Sequence, residues 1–184
     1  MSVTRVVVLR ALGLGDLCAA VPALRAVAQE VAPARVVLAA PGALAPLVPL
    51  VHERVELVPH PGLVPLPPEL HDADLAVNLH GRGPQSTALL DAARPRDLIA
   101  FRQRRTTTGV VVEWRPDEHE RDRWCRLLTG HGIDADPHDL SLREPPPMRR
   151  ALAGATVLHP GAAARSRRWP PRRWAHVAAT LRDR

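Results

Sequence analysis

The chain has no lysine and no tyrosine, one phenylalanine, two cysteines and two methionines among its 184 residues. Each scarcity excludes something. Cys18 and Cys125 lie in helical patterns with neither a CxxC spacing nor a histidine-rich neighbour, so a disulfide framework and a zinc site have little support and a reducing cytoplasm is the default. No apolar run approaches the ~20 residues of a membrane span, and the first residues lack the charged and apolar regions of a signal peptide. GxSxG, HExxH, P-loop and EF-hand patterns are missing too. All 25 basic residues are arginine. With no lysine or tyrosine to titrate below them, the pI of about 11.1 overstates the basicity. The net charge of +6 would ordinarily point to nucleic acid or a membrane surface. Peripheral contact with the inner face of a membrane stays open.

What is present is an aliphatic core in βα alternation. Hydrophobic residues make up 46% of the chain, mostly Val, Leu and Ala. Arg5-Val-Val-Val-Leu9 is the continuous apolar run of a strand buried on both faces, as at the centre of a parallel sheet. Gly13, Gly15 and Asp16 turn the chain, Asp16 standing where a helix N-cap belongs. Leu17, Val21, Leu24, Val27 and Ala28 then recur at helical spacing, with Pro22 tolerable in the first turns. Further strands are expected at 35–38, 54–58, 74–79 and 97–101, with a short edge strand at 109–112. Helices are expected at 43–51, 85–93 and 116–130. Pro145, Pro146 and Pro147 cannot sit inside a regular element. Behind them Ala155–Leu158 begins a new strand and Pro170–Leu181 a helix. The expected organisation is a doubly wound, Rossmann-like parallel sheet over 1–142, a linker over 143–153, and the incomplete start of a second such domain over 154–184.

Three loops fall at strand carboxyl ends, the working edge of such sheets. In the first, Gly13-Leu-Gly15 lacks the third small residue of a dinucleotide fingerprint, and Leu38-Ala-Ala-Pro41 offers no acidic ribose ligand. Asp16 is either a helix cap or a general base at a cleft edge, where a helix N-terminus favours the carboxylate. In the second, His80, Arg82 and Gln85 could hold a sugar or an anion, or His80 could be satisfied locally. In the third, Arg165, Arg167 and Arg168 follow a Pro-Gly turn before a helix. There, backbone N–H groups and guanidinium forks can meet a diphosphate, or the arginines can simply be solvated. Arg102, Arg104 and Arg105 carry the same two options. Trp169 and Trp174 fit packing better than base stacking.

Together these segments resemble glycosyltransferase family 9, the heptosyltransferases. Val7-Val-Leu-Arg10-Ala-Leu-Gly-Leu-Gly15-Asp16 with Val21-Pro-Ala-Leu24 is similar to the family's opening strand, Gly-Asp turn and Pro-Ala-Leu helix. Asn78-Leu-His-Gly81 is similar to its Asp-x-His/Gln-Gly, and Glu118-His-Glu-Arg121 through Leu127-Leu128 and Gly132 to a later helix. Leu158-His-Pro-Gly-Ala162 with Arg167-Arg-Trp-Pro170 resembles its donor-domain entry.

The resemblance implies the GT-B architecture of two facing Rossmann-like domains. It implies inverting transfer of a heptose-like sugar from a nucleotide diphosphate, such as ADP-heptose, to a hydroxyl of a cell-envelope glycan or glycolipid, as in lipopolysaccharide core synthesis. Asp16 would be the catalytic base. Arg167, with Arg168 and the backbone of Gly161, Ala162 and Ala163, would bind donor phosphate in a cytoplasmic enzyme without metal or cofactor. Gly15, His80 and Arg82 would face the acceptor, and no nucleic-acid partner is implied. Arg167 stands where the family has Lys, and Asn78 where it has Asp. A later donor-domain segment, Asp-Ser/Thr-Gly-x-x-His, is not in the sequence, so this fragment alone is expected to be inactive. The rival expectation is a non-catalytic module that binds a nucleotide or an anionic glycan.

Overall fold

The computed structural model describes residues 4–102, 110–147, 154–162 and 164–182. It divides into two compact units, Met1–Glu144 and Pro145–Arg184. The first unit holds a sheet of five parallel strands in the order β3-β2-β1-β4-β5. These are β1 (Arg5–Leu9), β2 (Arg35–Ala40), β3 (Val55–Pro59), β4 (Leu75–Asn78) and β5 (Asp97–Ile99). Its helices are α1 (Leu14–Glu30), α2 (Val48–Val51), α3 (Gln85–Ala92) and α4 (Glu120–Gly130).

The α/β, Rossmann-like class expected from the sequence is what the chain adopts. β1 lies at the centre because both of its faces are apolar: Val7 pairs in register with Val37 of β2 and Ala76 of β4. Val6 and Val8 pack with Leu17, Leu24 and Val27 of α1 and with Trp124 and Leu128 of α4. Val7 and Leu9 meet Leu66, Leu70 and Leu90 on the other face. Burying a Leu or Val side chain fully is worth about 1.5–3 kcal/mol, so the α1 stripe alone commits that helix to the sheet. Pro22 lies in the third turn of α1 rather than the first. It withholds an N–H from the Cys18 carbonyl, and the helix continues because the stripe on both sides of it is buried.

Several expected elements of this unit differ: the helix expected at 43–51 is a 3-10 turn at Gly42–Leu44 followed by the single turn of α2, and β5 stops at Ile99 rather than at 101. α4 starts at Glu120, not Pro116: His119 caps it, Nδ1 accepting from the Arg121 N–H. Arg123 donates to the carbonyls of Arg115 and Pro116, which holds the chain in a turn at Pro116 and Asp117 ahead of the helix. At 110–112 there is no strand; the Arg102 N–H donates to the Val112 carbonyl at 2.9 Å without a ladder around it. Gly109, Arg104 and Arg105 lie outside the described residues.

The second unit contains α5 (Pro171–Arg182) and a 3-10 turn at Arg165–Arg167. The helix expected there is formed. Residues 155–158 are not a strand: a strand is defined by its ladder, and Val157, 80% exposed, has none. No described residue of this unit is buried. Among the described residues no helix is long and apolar enough to cross a membrane.

Candidate functional site

The strand order reverses between β1 and β4. β1, β2 and β3 run outward one way and β4 and β5 the other, so the loops after β1 and β4 part at the carboxyl edge and open a crevice. Both loops carry expected site residues. Gly13, not Asp16, is the N-cap of α1; Asp16 is the third residue inside the helix and reaches back so that Oδ2 accepts the Gly13 N–H at 3.0 Å. Glycine has no side chain to cap with, so the carboxylate supplies the acceptor. The Asp16 side chain remains 39% exposed. Gly15 is exposed, and a Cβ built on it would meet nothing within 4 Å. Its smallness therefore serves no internal packing, and it leaves open space beside Asp16.

On the β4 side, Asn78 is buried and its Nδ2 donates to Ser86 Oγ and Thr87 Oγ1, both at 2.9 Å. Its Oδ1 accepts the His80 N–H at 3.0 Å. An amide suits this position because it must donate and accept at once, which an ionised aspartate cannot do. His80 Nδ1 is buried with no hydrogen-bond partner. Burial, and then the charge of Arg10, lower the His80 pKa, while Asp16 opposes them and His60 adds a small push downward. The imidazole is therefore neutral at pH 7. Arg82 is exposed on the same loop.

Arg10 and Glu120 lie in segments that carry the family resemblance, but the sequence assigns neither a role in the site. The Arg10 side chain is fully buried, with Nε and Nη2 donating to the Asp16 carbonyl at 3.0 and 2.8 Å and Nη1 to the Leu79 carbonyl. Nη2 also reaches Glu120 Oε1 at 2.9 Å. Its guanidinium carbon lies 4.9 Å from the centroid of the Trp124 ring, a cation–π contact. One clue was available in the sequence: an arginine that ends a buried strand needs acceptors for its N–H groups and a carboxylate for its charge.

The donor-side residues all lie in the second unit. Arg167 is exposed at the end of the 3-10 turn and Arg168, also exposed, follows it, its Nε donating to the Ala162 carbonyl at 2.6 Å. Gly161 is exposed, and a Cβ there would come within 3.3 Å of His159 Nε2. Ala163 lies outside the described residues. α5 begins with Pro171, Arg172 and Arg173 and has no acid in its first turn, which leaves its positive end uncompensated. Trp169 and Trp174 pack edge to face at 5.6 Å, so they do pack, though on each other rather than on a sheet. Among the described residues no three His, Cys, Asp or Glu side chains converge as metal ligands.

No protein-family profile and no curated protein matches the chain. Solved structures do. The glycosyl transferase family 9 structure from Veillonella parvula superposes over 98% of this chain and 60% of its own, with a TM-score of 0.67 at 18% identity. The fold is that of a family 9 glycosyltransferase. The E. coli heptosyltransferase WaaC, solved with ADP, matches 72% of this chain with a TM-score of 0.53 at 14% identity, and 48% of its own length is covered. The same enzyme with ADP-2-deoxy-2-fluoro heptose gives 0.52 at 15% identity, over 72% of this chain and 50% of that one. The chain therefore spans about half to three fifths of these transferase folds.

Proposed function

We propose that this chain is the acceptor-side domain, with the beginning of the donor side, of an inverting glycosyltransferase acting from a nucleotide diphosphate sugar. The transferase fold supports the class of reaction. The observation that carries it is Asp16: a half-exposed carboxylate at the strand-order reversal, holding one N–H and bordered by open space over Gly15. In the reaction an acceptor hydroxyl attacks the anomeric carbon in line with the departing diphosphate. The acceptor O–C1 bond forms as the C1–O bond to phosphate breaks. Asp16 takes the hydroxyl proton, and the nucleoside diphosphate leaves with the bonding pair.

Arg167 and Arg168, with the amides of Gly161, Ala162 and Ala163, meet the developing negative charge on the diphosphate without metal or cofactor. Gly15 leaves room for the acceptor, and His80 and Arg82 hold its polar groups. The relatives with bound ligand favour ADP-heptose or a close analogue as donor. The acceptor is then a glycan or glycolipid of the cell envelope, modified in the cytoplasm at the inner membrane face. Because the chain spans about half to three fifths of the transferase folds it matches, the activity is proposed for a protein that also carries the rest of the donor domain.

The test is incubation of the full-length protein with nucleotide diphosphate sugars and candidate acceptors. Release of nucleoside diphosphate with an inverted anomeric centre in the product is expected. Ligand-dependent stabilisation with no transfer for any donor would replace this proposal with a non-catalytic binding module.

A further inference from the structure

Arg10 carries a full charge out of water, which is costly unless every N–H finds an acceptor and the charge an anion. Desolvation pulls its pKa down, and Glu120 and then Asp16 act against it. The geometry treats these two acids differently. Glu120 takes a hydrogen bond from Nη2 through its carboxylate at 2.9 Å. Asp16 takes two through its main-chain carbonyl, and its carboxylate stays 3.8 Å from Nη2, beyond hydrogen-bond reach. Because Nη1 holds the Leu79 carbonyl, one guanidinium grips both loops of the crevice. Glu120 is also the first residue of α4 and Asp16 the third of α1. Two helix N-termini and a cation thus meet two acids.

We propose that Arg10 and Glu120 are positioning residues: Arg10 clamps the Gly13–Asp16 turn to the β4 loop. Glu120 occupies the guanidinium, so the Asp16 carboxylate, 3.8 Å from Nη2, stays open to a hydroxyl instead of closing into a hydrogen-bonded pair. This rests on Asp16 being the base. A carboxylate forked onto arginine has its lone pairs engaged and accepts a proton poorly. Among the described residues Glu120 and Asp16 are the acids within ion-pair distance of Arg10. Once the charge on Glu120 is gone, Asp16 is the acid left to close.

The test is a mutant cycle on the 184-residue chain. Glu120→Gln keeps an acceptor oxygen for Nη2 and removes only the charge. Asp16→Asn should lower the denaturation midpoint more in the Glu120→Gln chain than in the parent, because only there has the Asp16 carboxylate closed onto Arg10 as its charged hydrogen-bond partner. Additive effects would overturn the proposal. Should Glu120→Gln not fold, Glu120→Asp, whose shorter side chain withdraws the carboxylate, must show the same non-additivity, and additivity there overturns it equally.

In the full-length protein Glu120→Gln should lower kcat about tenfold with KM for the nucleotide sugar within about twofold, a split that a merely structural contact would not give. An unchanged kcat in an active enzyme contradicts the proposal. Absence of transfer in the parent sinks the transferase assignment instead, and the stability cycle still decides whether Arg10 and Glu120 set the Asp16 carboxylate.

Discussion

Residues 1–144 and 145–184 each carry one loop of the proposed chemistry, and they hold it in opposite ways. The Asp16 turn rests on a fully buried guanidinium, two neighbouring main-chain carbonyls and an acid from a helix 110 residues away. The Arg167 loop rests on bonds within a few residues: Arg168 to the Ala162 carbonyl, and the Arg167 and Arg168 N–H groups to the carbonyls of Ala164 and Arg165. A base must be placed to within a fraction of an ångström of its productive position, so its loop is fixed from several directions. A diphosphate is held by charge from several donors, and an exposed arginine can adjust to it.

The largest effects that would break this contrast fall in the first unit. Arg10→Met should cost about 2–4 kcal/mol of its stability, read by chemical denaturation. The carbonyls of Leu79 and Asp16 lose their donor, while Glu120 and Asp16, 36% and 39% exposed, keep part of their hydration. Leu24→Ala, in the buried stripe of α1, should cost about 2–5 kcal/mol, whereas Val157→Ala, at 80% exposure, should stay within about 0.5 kcal/mol. Equal costs would mean the second unit has a core of its own. In the full-length protein, Arg167→Ala should weaken nucleotide binding by about tenfold, through one lost charge-assisted contact, and leave unfolding of the first unit unchanged.

The smallest effect is with pH. Burial lowers the pKa of His52, His60, His80 and His131 below the ordinary 6.5, so the folded unit holds fewer protons there than the unfolded chain. Stability is then full above pH 6.5 and falls as pH drops below it. A denaturation midpoint that rises between pH 6.5 and 5 would show that those imidazoles are not buried neutral.

The strands and α1 were legible because their signal is local: an apolar run for a strand buried on both faces, a three-and-four spacing for an amphipathic helix. Asp16 was legible as a residue at a helix start, but its role as the third residue was not. A glycine N-cap leaves no side-chain signature, and the cap follows from the carboxylate reaching back. Glu120 was hidden for a different reason. Its partner lies on β1, and pairing across 110 residues is decided by the packing of α4 onto α1 and the sheet. Residues 155–158 have a strand's composition and no strand, because pairing requires a neighbour that composition cannot supply.

The central claim is that Asp16 takes the acceptor's proton. Exchanging it for Ala in the full-length protein, with transfer and nucleotide binding measured side by side, addresses it most directly. The account requires transfer to fall by about 10²- to 10⁴-fold while nucleotide affinity stays within about twofold. Transfer at the parental rate would contradict it and leave the carboxylate as a helix cap alone.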